Sequence, residues 1–374
     1  MLRLPTILVA LLLVGAYSPF AFAGKVLKST QQGNPQIQSI NTLSFAPDGV
    51  LLIGDGRGAQ IVAVQTSNNP AKWLGFKTLE GIDTKLAARV GATTKGIEII
   101  DMAVNPVTHV AYIAARKQDD KSQIIFTVRP TGAIGILDLA NVNYASVKLR
   151  SGDATVSLVT DVAWADSQIV AAARSSEAFS SKIFSIPVPL AKKSTSKVFT
   201  AETYHVSHGR WETKAPMSVL IPIKENDQTY VVGAFSCTPV VKYRIDALKP
   251  GATVKGSSMI ELGSGNRPVD MFVYEKGGKP FVLANTFRFH HKRKAFGPSP
   301  YWTVKFQQGL LAGDAAVNEK AVRRLKAGYE PATDRIEMVT AYHGVMQMDR
   351  LGKTHALALQ DTGKGLNLVA LDLP

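Results

Sequence analysis

One phrase recurs six times along this chain: a short apolar strand, a polar turn and a second apolar strand, usually followed by a third. The copies open at Thr42, Asp101, Asp161, Ser218, Asp270 and Val345, so successive starts lie 59, 60, 57, 52 and 75 residues apart. The first reads Thr42-Leu-Ser-Phe-Ala-Pro-Asp-Gly-Val-Leu-Leu-Ile-Gly and then Ile61-Val-Ala-Val64; the last reads Val345-Met-Gln-Met and Ala356-Leu-Ala-Leu359. A unit of this length cannot bury its apolar faces alone and has to stack on its neighbours. Three to four strands per unit is the size of a propeller blade. The expected fold is therefore an all-β β-propeller of six blades. Seven remain open, should residues 72–78 or 200–205 seed another blade.

The ends of the chain bear on how such a ring would close. Arg3, an apolar run over residues 4–15 and Ala21-Phe-Ala23 before Gly24 have the form of an export signal cleaved after Ala23. The run is short of the ~20 residues that span a bilayer, and no later segment is apolar enough to be a transmembrane segment. The expectation is a secreted or periplasmic monomer with residues 1–23 as signal and 24–374 as a single propeller domain. The last repeat ends in Leu366-Asn-Leu-Val-Ala-Leu-Asp-Leu373 with only Pro374 beyond, so its outer strand has to come from elsewhere. Short alternating stretches at 25–29 and 36–40 are available, and an uncovered edge invites aggregation. Ring closure by the mature N-terminus is expected.

Charge gives the first hint of a partner. The formal net charge is +14, or +13 once Arg3 leaves with the signal. Such an excess attracts anionic partners, a polysaccharide or a protein, over distance. An exported chain without a nucleic-acid-binding motif gives no reason to expect nucleic acid. The lone cysteine, Cys237, rules out an intramolecular disulfide and reads as a buried free thiol. The 75-residue spacing holds an insertion at about 287–330 with Phe287, Phe289, His290-His-Lys-Arg-Lys294, Tyr301 and Trp302. Within it, Asp314 as N-cap, Val317, Ala321, Val322 and Leu325 on one face and Gly328 as stop predict a helix. Lys292, Arg293, Lys294 and Trp302 are candidate ligand-binding residues there, cations beside rings that stack on sugars.

Phe45-Ala-Pro-Asp-Gly-Val-Leu-Leu-Ile-Gly-Asp55 resembles the strand-turn-strand of NHL, YVTN and WD-type extracytoplasmic propellers, and Gly265-Asn-Arg-Pro-Val-Asp-Met271 is similar to the same repeats. The resemblance implies the superfold over nearly all of residues 24–374. Relatives of that shape include calcium-dependent lactonases, redox-partner propellers and plain binding scaffolds, so function follows from it only by analogy.

Aligning the repeats places Asp101, Asp161 and Asp270 at equivalent positions on the innermost strand, where their carboxylates would converge on the channel. Converging carboxylates repel unless neutralised, which makes Ca²⁺ the candidate metal and cofactor. The competing reading has each aspartate bonding backbone amides within its own repeat. Arg267 and His343 precede inner strands and are candidate ligand-binding residues at the mouth, with His343 the only candidate base. His205-Val-Ser-His208 has a gap that suits a metal on a turn, but on a strand it would send the rings to opposite faces. No Gly-x-Ser-x-Gly elbow, zincin motif, phosphate loop or Cys-x-x-Cys-His occurs. Two functions follow: a binding or scaffold protein for an anionic partner, or a calcium-assisted hydrolase of lactones or esters at the channel.

Overall fold

The structure is a computed structural model that describes residues 26–374 apart from 71, 237–238, 248, 250, 264, 290–298 and 325–332. The chain is all-β, with 55% strand and 6% helix, in a propeller-like arrangement. Residues 1–23, expected to be an export signal, and Cys237, Lys292, Arg293 and Lys294 lie outside the described residues.

Each repeat becomes an antiparallel unit whose second strand is buried on both faces. Val50–Asp55 is buried throughout, as are Ile169 to Ala173 of Gln168–Ser175. Burial on two faces explains why these strands read as unbroken apolar runs and do not alternate. Small residues let the sheets approach: a Cβ on Gly54 would come within 2.5 Å of Thr42 Cγ2 and 2.7 Å of Val159 Cγ1.

Among the described residues the hydrophobic core falls into six clusters, one at each seam between units. Leu51 and Ile53 of the first unit pack on Tyr112 and Ile125 of the second. Leu52 and Ile61 of the first also pack on Val159 and Phe184 of the third. Met102 and Phe126 of the second meet Leu357 and Leu359 of the sixth. Around the ring the units therefore run first, second, sixth, fifth, fourth, third. The cause is a strand that doubles back: after the second unit, Val142–Lys148 returns to pair with Gln60–Gln65 as the fourth strand of the first.

Three expectations are corrected here. The units do not form six or seven separate blades: four sheets stand apart, and one ten-stranded sheet takes up both the third and fourth units. Its two antiparallel halves join where Thr200 to Thr203 pairs in parallel with Thr253 to Gly256. The N-terminal segment does not close the ring. Gln31–Gly33 pairs with Val142–Lys148 of the first unit, and Leu27 bridges Leu190. Among the described residues the sixth unit keeps three strands, met at their edge by the Leu79–Leu368 bridge alone, and its inner strand Val345–Leu351 closes the ring against Ile97–Val104. Because the chain doubles back, closure needs no borrowed strand.

The helix expected in the insertion is also absent over residues 314–324. Val322–Arg323 instead pairs with Ile260 and Glu261, Val317 is exposed, and Arg324 is buried with its guanidinium 5.1 Å from the Trp302 ring. Tertiary pairing overrides the helical pattern. Among the described residues the one α-helix is Ile82–Arg89, which buries Ile82, Leu86 and Ala87 against the sixth unit.

Candidate functional site: the central channel and its rim

A channel of about 530 Å³ runs between the inner strands. Each inner strand skips one residue of register near its start, at Ile40/Thr42, Ile99/Asp101, Val159/Asp161, Met217/Val219, Pro268/Asp270 and Val345/Gln347. Such a bulge re-aims the side chain that follows it. The equivalent positions facing the axis are thus Thr42, Asp101, Asp161, Val219, Asp270 and Gln347. The sequence alignment was right at four of them and off by one at Ser218 and by two at Val345.

The aspartates bond backbone amides, Asp101 and Asp161 within their own units and all three across seams. Asp101 Oδ2 accepts the Leu43 N–H of the first unit at 2.6 Å, and Oδ1 accepts from Met102 at 2.8 Å. Asp161 Oδ2 accepts from Leu220 of the fourth unit at 2.7 Å, while Oδ1 takes the Val162 N–H at 2.7 Å and the Thr42 hydroxyl at 3.3 Å. Asp270 Oδ2 accepts from Met348 of the sixth unit at 2.7 Å. A fourth carboxylate, missed in the sequence, completes the set: Asp349 Oδ2 accepts from Val104 of the second unit at 2.7 Å. Gln347, with its amide nitrogen turned to the acids, donates to Asp270 Oδ2 at 2.9 Å and to Asp101 Oδ1 at 3.0 Å. The side chains tie unit to unit.

So many carboxyls in one enclosed place cannot all ionise at ordinary pH. Burial, then the charge of Asp349, pushes Asp101 up to about 7 against the pull of its amide donors. Asp161 also reaches about 7, through burial and the charge of Asp101. Burial followed by the charges of Asp101 and Asp161 holds Asp270 well above the carboxylate range, and burial takes Asp349 to about 6. Asp161, Asp270 and Asp349 are half-buried because they line a channel that water can enter, and that water tempers the shifts.

An oxygen of each of Asp101, Asp161 and Asp270 accepts from a backbone amide, and among the described residues the one group bringing three His, Cys or carboxylate ligand atoms within 4.8 Å of one another is His205, His208 and Glu212, away from the channel. Burial and mutual repulsion keep the channel carboxyls protonated to higher pH than free ones.

At the rim the character changes sign. Arg267 lines the mouth, exposed, and rests its guanidinium 5.7 Å from the Phe287 ring centre and 5.9 Å from that of Phe289. Phe289 is 58% exposed. The described residues offer Arg267 no ion-pair partner. Two other sequence candidates, Trp302 and His343, are not at this mouth. Trp302 is 1% exposed, packed between the guanidiniums of Arg288 at 4.4 Å and Arg324 at 5.1 Å, and so is a core residue and no platform for a ligand. His343 is half-buried with Nε2 3.5 Å from Met338 Sδ and is not among the residues lining the channel; burial lowers its pKa.

The sequence matches no protein-family profile and no curated protein. Solved structures similar to the chain include the PQQ-bound aldose sugar dehydrogenase of Streptomyces coelicolor, 12% identical over 90% of this chain and 95% of that one, with a TM-score of 0.33. The major allergen Mala s 1 of Malassezia sympodialis is 11% identical over 92% and 96% of the two chains, with a TM-score of 0.37. A Lactobacillus plantarum protein is 12% identical over 91% and 85%, with a TM-score of 0.33. Likenesses this distant carry nothing about activity.

Proposed function

We propose that this is an exported binding propeller which holds an acidic polysaccharide or another polyanion at the rim of its channel. The carrying observation is Arg267, an exposed cation without an ion-pair partner among the described residues, lying on two aromatic rings at the channel mouth. A guanidinium seated on rings is preorganised to grip sulfate or carboxylate, and the exposed Phe289 edge offers a face for a sugar. The sequence continues from Phe289 into His290-His-Lys-Arg-Lys294, which extends the positive charge. The ligand stays at the rim, because the acids within repel an anion. The hydrolase alternative gains no support from carboxylates already bound to amides.

The test is elution from immobilised dextran sulfate in a rising salt gradient. Arg267→Ala and the Lys292, Arg293, Lys294 triple alanine variant should both elute earlier than wild type, with unchanged melting temperatures. An exposed contact of this kind is worth about 0.2–1 kcal/mol, a shift of roughly 1.5- to 5-fold in affinity. Identical elution of all three proteins would remove the rim as a binding site.

A further inference from the structure

A second constellation lies on the outer edge of the third unit, away from the channel. Strand Lys197–His205 turns back through Val206 to Gly209 into Arg210–Glu212, with Gly209 at a φ of 62° that favours glycine. In this hairpin His205 faces Arg210, and Thr203 faces Glu212. Glu212 is therefore diagonal to His205 on the same face of the ribbon, within side-chain reach. His208 sits in the turn, where its N–H bonds the His205 carbonyl at 3.0 Å, and its ring folds back to 3.9 Å from the His205 ring, centre to centre. The two histidines thus converge, because one ends the strand and the other has left it.

Glu212 Oε1 lies 3.3 Å from His205 Nδ1 and 2.6 Å from His208 Nδ1. The other ring nitrogen of His205, Nε2, is 3.0 Å from Oε2 of Glu261, a carboxylate only 2% exposed. Glu261 Oε1 accepts the Val206 N–H at 3.1 Å, which fixes it in place. A carboxylate behind one imidazole nitrogen, with the opposite nitrogen turned toward other ligands, is the outer-shell arrangement that orients metal-binding histidines.

We propose that His205 Nδ1, His208 Nδ1 and a Glu212 oxygen bind a divalent transition-metal ion, Zn²⁺ by ligand chemistry, with Glu261 orienting His205 and solvent as the fourth ligand. Two imidazoles and a carboxylate suit zinc better than calcium or magnesium. Bonds of about 2.0–2.1 Å in a tetrahedron put ligand atoms about 3.3 Å apart, the His205–Glu212 separation already present. The His208–Glu212 pair has to open by about 0.7 Å. The His208 side chain is 40% exposed in a turn, so it is free to make that move. The solvent position gives the ion an open coordination site. The hairpin stands beside the parallel seam of Thr200 to Thr203 with Thr253 to Gly256, and Glu261 belongs to the strand across it. All three ligands sit on this hairpin, and the His205–Glu261 bond links it to the other half of the ten-stranded sheet.

The experiment uses the full tag-free chain stripped with chelator and titrated with Zn²⁺ by calorimetry and with Co²⁺ by visible absorption. Wild type should take up a single equivalent and show the d–d bands of a four-coordinate cobalt site. His208→Ala, at an exposed turn position that leaves the fold intact, should lose the bands and weaken Zn²⁺ binding by at least about 100-fold. Glu261→Gln should keep the stoichiometry and weaken binding about 10- to 100-fold. Absence of uptake by folded wild type, or bands that persist unchanged in His208→Ala, would overturn the site; wild-type affinity in Glu261→Gln would overturn the orienting carboxylate.

Discussion

The channel carboxyls should make the protein more stable in mild acid than in mild base, the reverse of what salt-bridged aspartates do. The sign follows from the direction of the shifts. Asp101 and Asp161 hold their protons up to about 7 when folded, and Asp349 to about 6, against an ordinary value of 3.8. Between those limits the folded state carries protons that the unfolded chain has released, so stability falls as pH rises through the window from about 4 to about 7. Taking the protein from about pH 5 to about pH 8 costs about 2.5 kcal/mol for each carboxyl that titrates near 7, and about half that for Asp349. Channel water makes these figures ceilings. His109 and His343, whose pKa values burial lowers, act the other way as pH falls through their ordinary 6.5. The clean measurement is therefore a difference. Urea unfolding of wild type and Asp161→Asn across this range should show a steep loss of stability for wild type and a shallower one for the variant. Asparagine keeps one acceptor for the Leu220 or Val162 amide while removing the titration. A wild-type stability that is flat or rises with pH, or the same slope in both proteins, would refute the assignment of raised pKa values to the channel carboxyls.

Two further outcomes test the packing. Gly54→Ala pushes a methyl against Thr42 and Val159 at the seam of the first and third units, and should cost about 1–3 kcal/mol in chemical denaturation. Trp302→Ala should cost about 3–5 kcal/mol and leave polyanion retention unchanged once folded, because the ring is in the core between two arginines and not at the rim.

The repeats were legible because each unit buries its central strand on both faces and so writes an apolar run at a regular interval. Their partners were not: Val142–Lys148 turns Val142 and Tyr144 to one seam and Ala145 and Val147 to another, so it shows no clean alternation and names no neighbour. Nothing in Val-Asn-Tyr-Ala-Ser-Val-Lys says that it returns to the first unit. The channel aspartates stood out by recurrence. Asp349 escaped because alignment on Val345 ignored the bulge, which moves the axial position to Gln347 and leaves Asp349 one strand period further along the same face. The misplaced helix shows the limit of periodicity: Val317 and Ala321 have the spacing, but Arg324 gains burial against Trp302 that a helix would forgo. The real helix, Ile82–Arg89, carried its own signal in Ile82 and Leu86 one turn apart between Gly81 and Gly91.

The doubled-back strand also sets an order of events during synthesis. Strand Gln60–Gln65 has no neighbour on its outer side until Lys148 has emerged, and the whole second unit must be made first. Until then the nascent protein carries an open edge of hydrogen-bonding groups, the surface most prone to pair with another chain. Nor can the first two repeats be duplicated, deleted or cut apart as modules, since the second is spliced between strands of the first. The ring itself closes only when Val104 meets Asp349, 245 residues later. A chain threaded this way has to be kept from premature association until its last repeat arrives.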